Sequence, residues 1–113
     1  MSKRVVKGRS TATGLQKHVA DYVERNHMEV AAHIRCLDLV CEVGELTKEL
    51  LERTEYGHKT FRKSRNWAEE FGDIGIALFC LANSTEVDVE EALLAALDKY
   101  SERVKLTGSA SSK

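Results

Sequence analysis

Among the 113 residues of this chain there is no proline. Proline ends helices more sharply than any other residue, because its ring fixes φ and removes a backbone N–H. A chain without it is free to run long helices. The apolar residues fit that reading: they recur three and four positions apart, the period of a helix, with no sustained strand-type alternation. The pattern predicts four helices. The first spans about Thr13 to Asn26, with Leu15, Val19, Tyr22 and Val23 as its apolar stripe. The second spans about Glu29 to Arg53, and the third starts with Ser64 as N-cap and reaches about Ser84. The fourth opens with a capping box, Asp88 and Glu91, and runs through Ala92, Leu93, Ala96 and Leu97 to about Leu106. The expected organisation is a flexible basic arm over 1–10, one all-α domain over 11–106 and a flexible tail over 107–113.

Composition narrows the function classes. A net charge of −1 gives no reason to expect nucleic-acid binding. No apolar run approaches the roughly 18 residues of a membrane span. The basic N-terminus lacks the apolar segment of a secretory signal. Cys36, Cys41 and Cys80 show no metal-binding spacing and sit in apolar helical stretches, so they read as reduced, buried thiols of a cytoplasmic protein. A core built from so short a chain is modest, and oligomerisation would extend it.

Two acidic pairs carry the chemistry, Glu42-Val-Gly-Glu45 and Glu70-Phe-Gly-Asp73. At i, i+3 on a helix, both carboxylates of a pair project from one face. The loop-like Tyr56-Gly57-His58-Lys59-Thr60 lies between the pairs, so two antiparallel helices would bring all four carboxylates to one point. Such a cluster repels itself unless a cation sits within it, and hard oxygen ligands suit Mg²⁺ or Mn²⁺. A plainer reading stands beside this one. Asp38, Glu42, Glu45, Glu49 and Glu52 form a stripe opposite Val40, Val43, Leu50 and Leu51, the pattern of a solvated face. The third helix argues the other way, because Glu70 and Asp73 share a face with Trp67, Ile74, Ala77 and Leu81. A carboxylate there needs a metal, a salt bridge to Arg35 or Arg53, or a wet helix end. Gly44 and Gly72, one inside each pair, permit close helix approach.

Lys59, Arg62, Lys63 and Arg65 place four fixed positive charges between the acidic pairs. Cations beside a metal site are what a polyphosphate needs; as a plain surface loop, the same residues would simply be solvated. Trp67 is a candidate for base stacking, or else a core or interface residue. His18, His27, His33 and His58 have no ligand spacing, and no nucleotide-loop or nucleophile motif is present.

Taken together, Glu42-Val-Gly-Glu45-Leu, Glu69-Glu70-Phe-Gly-Asp73-Ile, Val87-Asp88-Val-Glu-Glu-Ala92 and Asp98-Lys99-Tyr100 with Arg103 resemble the MazG-like all-α nucleoside triphosphate pyrophosphohydrolases over roughly residues 30–105. The resemblance implies a four-helix bundle completed by dimerisation, as a homodimer or a homotetramer formed as a dimer of dimers. It implies Mg²⁺ held by Glu42, Glu45, Glu70 and Asp73, with Mn²⁺ as a substitute. It further implies hydrolysis of a (d)NTP between the α- and β-phosphates to a monophosphate and pyrophosphate, a house-cleaning of the nucleotide pool. Glu45 is the candidate base, with Glu42 as alternative, and Lys59, Arg62, Lys63, Trp67, Lys99 and Arg103 are the candidate substrate contacts. Cys41 stands where many members carry a further glutamate, and the segment between the motifs lacks the aromatic cluster some members use around the base. A non-catalytic helical binding module with the same bundle is the competing reading. A phosphoribosyl-ATP hydrolase ranks below both, since no dedicated ribose-phosphate site is present.

Overall fold

A computed structural model describes residues 11–108, and all its regular structure is helical: α1 (Thr11–Arg25), α2 (Ala32–Arg53), α3 (Trp67–Ser84) and α4 (Val89–Thr107). The expectations for residues 1–10 and 109–113 lie outside the described residues. Two predicted starts shift. Residues 29–31 are not helical, with Ala31 extended at φ −63° and ψ 155°, so α2 begins three residues later than the periodicity indicates. Ser64 does not cap α3, whose N-cap is Asn66 without a side-chain cap bond. The capping residue of α4 is as read: the Asp88 carboxylate accepts from the Glu91 N–H at 3.1 Å.

The first three helices end alike. After each C-terminus comes a non-glycine residue in the left-handed region: His27 (φ 55°), Glu55 (φ 49°) and Glu86 (φ 59°). The following N–H then reaches back over the last turn, Met28 to the Val23 carbonyl (3.0 Å), Tyr56 to Leu51 (2.8 Å) and Val87 to Ala82 (2.9 Å). This is the Schellman closure, which usually takes glycine, and no glycine marks it here. Only α4 ends on the favoured residue, Gly108 at φ 76°.

Helices α2 and α3 form the central pair. Glu49 meets Ser64 while Glu42 meets Glu70 and Asp73, so rising numbers on α2 face falling numbers on α3 and the pair is antiparallel. Helix α1 packs across α3, and α4 packs on α1. The junction is polar. Gln16 is 6% exposed; its Nε2 donates to Asn83 Oδ1 (2.9 Å) and the Val87 carbonyl (2.7 Å), and its Oε1 accepts from the Val89 N–H (3.0 Å). One glutamine thus ties α1 to the end of α3 and the start of α4.

The packing turns parts of the predicted pattern inside out. On α2 the acidic residues Asp38, Glu42 and Glu49 are half-buried, whereas Val40 is 65% and Leu37 60% exposed. Glu45 and Glu52 of the same stripe are exposed, so the solvated-face reading holds for part of the stripe and fails for Asp38, Glu42 and Glu49. On α1, Leu15 and Tyr22 of the predicted stripe are exposed, and Val19 and Val23 face inward. On α4, Leu93 and Leu97 point outward. Among the described residues the buried apolar side chains are all small: Ala77, Cys80 and Ala82. Cys36 and Cys41 are exposed, so of the three thiols expected to be buried only Cys80 is, and burial pushes its pKa up. A Cβ on Gly44 or Gly72 would meet no atom within 4 Å, so the close approach expected at these glycines does not occur within one chain.

Candidate active site

The site forms where α2 and α3 face each other. Glu42 on α2 and Glu70 and Asp73 on α3 each offer a carboxylate oxygen, and these oxygens lie within 4.8 Å of one another. Glu70 and Asp73 are three apart and project together; the antiparallel register sets Glu42 opposite them. Glu42 and Glu70 are half-buried and Asp73 is exposed.

Electrostatics marks Glu70 as the focus. Lost hydration, then the negative charges of Asp73, Glu45, Glu42 and Glu49, raise its pKa above the ordinary glutamate value. The salt-bridge alternative is not realised. Arg35 pairs with Asp38 at 3.6 Å and donates to the Met28 carbonyl. Arg53 donates from Nε to the Arg62 carbonyl at 2.8 Å. The arginines that might have neutralised the acids are thus engaged elsewhere. Oxygen donors alone, carrying surplus negative charge, form a set that fits a hard divalent cation.

Glu45 lies outside the three-oxygen group, exposed on the next turn of α2, close enough for its charge to act on Glu70. Between the helices, Thr54 organises the loop: its Oγ1 accepts from the Gly57 N–H (3.2 Å) and its carbonyl from the Lys59 N–H (2.9 Å). Lys59 pairs with Glu55 at 3.4 Å, and among the described residues Arg62 and Lys63 enter no ion pair. Ser64, misread as a cap, donates from its hydroxyl to Glu49 Oε2 at 2.5 Å and accepts from the Asn66 N–H at 3.2 Å.

Sequence reasoning missed an aromatic group. Trp67 stacks tilted on Phe61 (centroids 4.8 Å) and edge-on to Phe71 (5.4 Å), beside Glu70. The segment expected to lack an aromatic cluster supplies two of these three rings. The signal was there in Phe61 and Phe71 at six and four residues from Trp67. Lys99 and Arg103 are not brought to the acids by the fold of one chain: α4 packs on α1, and Arg103 sits 5.7 Å from the Tyr100 ring. An apolar cleft of about 370 Å³ between α1 and α3, lined by Val19, Tyr22, Ile76 and Cys80 among others, holds none of the acidic group.

Comparison with known proteins identifies the family and the fold. Residues 19–107 match the model of the MazG nucleotide pyrophosphohydrolase domain. An uncharacterized protein of Bacillus subtilis (strain 168), YpjD, is 37% identical over 67 residues, which cover 57% of this chain and 59% of that relative. The chain therefore aligns with somewhat more than half the length of that relative. The crystal structure of the Bacillus-conserved MazG protein, a nucleotide pyrophosphohydrolase, superimposes with a TM-score of 0.66 at 27% identity, covering 83% of this chain and 93% of that one. The match over nearly the whole helical region, with the acids of α2 and α3 inside it, places this chain in the MazG nucleotide pyrophosphohydrolase family.

Proposed function

We propose that this protein hydrolyses a nucleoside triphosphate to the monophosphate and pyrophosphate, using a divalent cation, Mg²⁺ or in its place Mn²⁺. The observation that carries the reading is the convergence of Glu42, Glu70 and Asp73, half-buried in part and not neutralised by Arg35 or Arg53, in a chain of the MazG family. Glu42, Glu70 and Asp73 would hold the cation, with Glu45 adjacent. A bound divalent ion supplies charge neutralisation for phosphate oxygens and acidifies water. Glu45, outside the three-oxygen group and exposed, is the candidate to take the proton of the attacking water. Water then adds across the α–β anhydride, one product keeping its oxygen and the carboxylate its proton. Lys59, Arg62 and Lys63 are the phosphate contacts, and Trp67 with its flanking phenylalanines is the surface for the base.

The open apolar faces of α2 and α4 support a homo-oligomer, because one chain leaves Leu37, Val40, Leu93 and Leu97 in water. Lys99 and Arg103, remote in packing from the acids of their own chain, would then act from a neighbouring copy. The test is product analysis with Mg²⁺ over every canonical NTP and dNTP. Monophosphate and pyrophosphate in equal amounts are expected from at least one. Diphosphate and inorganic phosphate would contradict the assigned bond. No turnover at all, with cation binding intact, would favour the non-catalytic binding module.

A further inference from the structure

The stretch bearing Arg62 and Lys63 carries no regular structure, yet two side chains of α2 hold it. Glu49 accepts from the Ser64 hydroxyl at 2.5 Å, and Arg53 donates to the Arg62 carbonyl at 2.8 Å. Glu49 and Arg53 are one turn apart on α2, so they grip the segment at two points from a single helix face. Glu49 continues the row of Glu42 and Glu45 but stands outside the three-oxygen group. Its partner is a hydroxyl, which satisfies the carboxylate without neutralising it. Ser64 also accepts from the Asn66 N–H, joining the grip to the start of α3, where Trp67, Glu70 and Asp73 follow.

We infer that Glu49 and Arg53 are positioning residues: by holding Ser64 and the Arg62 backbone, they fix the Arg62 and Lys63 cations relative to the acidic group, so that the polyphosphate meets an ordered pair of charges. This rests on the proposed hydrolysis and adds to it a role for two residues that touch neither cation nor substrate. A long cationic side chain on an untethered segment loses conformational freedom on each binding event, and tethering the backbone beforehand removes part of that cost. The effect of the tether belongs to substrate binding; Ser64→Ala, which changes no charge, isolates it from the influence that the Glu49 charge has on Glu70.

Two readouts test this on the full chain. Steady-state pyrophosphate release is compared for wild type, Ser64→Ala, Glu49→Ala, Ser64→Thr and Glu49→Gln, with melting temperatures as a folding check. KM is expected to rise about tenfold in the two alanine variants, kcat to stay within about twofold, and the Thr and Gln variants, which keep a donor and an acceptor, to recover most of the loss. In a background of Arg62→Ala with Lys63→Ala, Ser64→Ala should add nothing, since the charges it positions are gone. Independently of activity, trypsin should cut after Arg62 and Lys63 faster in the alanine variants than in wild type. Unchanged KM and unchanged cleavage in both alanine variants would overturn the inference, as would a fall in kcat with KM constant, which would put Glu49 in the chemistry. A wild type that releases no pyrophosphate overturns the functional reading and the role built on it. An active wild type with an indifferent Ser64→Ala overturns the positioning role alone.

Discussion

At the scale of single residues, Glu70 concentrates the argument. Its pKa is raised, so its proton is bound more tightly in the folded protein than in the unfolded chain. For a carboxylate shifted this way the folded state binds more protons within the window above the ordinary glutamate value, and stability falls as pH rises through it. Glu70→Gln removes that charge. The ion-free variant is expected to melt higher than wild type near pH 7, with the gap closing as pH falls through the window above 4.5 and gone below it, where Glu70 is protonated in the folded and the unfolded chain alike. Mg²⁺ should raise the wild-type melting temperature near neutral pH and leave Glu70→Gln unmoved. Equal melting of the two ion-free proteins at both ends of the range would show that Glu70 is not under strain from its neighbours. The carboxylates themselves were legible in the sequence as two i, i+3 pairs. Which of them converge was not, because Glu42 and Glu45 differ only in how α2 is rotated against α3.

At the scale of elements, helix ends and junctions hold what periodicity cannot read. His27, Glu55 and Glu86 occupy left-handed backbone that costs a side-chain-bearing residue about 1 kcal/mol more than glycine. His27→Gly and Glu86→Gly are therefore expected to stabilise the fold by about 0.5–1 kcal/mol each, read as a rise of a few degrees in thermal unfolding. The junction works in the opposite sense. Gln16→Leu would remove the Gln16 bonds to the Val89 N–H and the Val87 carbonyl at a part-buried junction, at a cost of about 1–2 kcal/mol, and denaturant titration would read the loss. Four helices and most of their bounds were readable from spacing. The start of α3 was not, because Ser64 is as good a cap by type as Asn66, and a hydroxyl's choice of a carboxylate fifteen residues upstream is a tertiary event. The aromatic group around Trp67 was hidden for the same reason: Phe61 lies in the loop, and only the turn into α3 carries it to the indole.

At the scale of the whole molecule, the chain does not bury its own apolar faces. Leu37 and Val40 on α2 and Leu93 and Leu97 on α4 point outward, while Asp38, Glu42 and Glu49 of α2 are half-buried. Hydrophobic spacing put Val40, Leu93 and Leu97 at apolar helical positions, but it cannot say whether such positions face the same chain or another. Light scattering is expected to give a multiple of the 12.7 kDa chain mass, and Val40→Asp to lower that multiple, since a charge on an apolar contact is costly to desolvate. A monomer whose mass is unaffected by Val40→Asp would refute the oligomer. No helix among the described residues is long and apolar enough to cross a membrane.

The central claim is that the acids of α2 and α3 support pyrophosphohydrolysis. Its most direct test is pyrophosphate release from the best nucleotide with Mg²⁺, wild type against Glu70→Ala, both confirmed folded. Measurable turnover is expected in wild type, with a loss of at least about a hundredfold in the variant. Equal turnover in both would contradict the assignment of the acidic group as the active site.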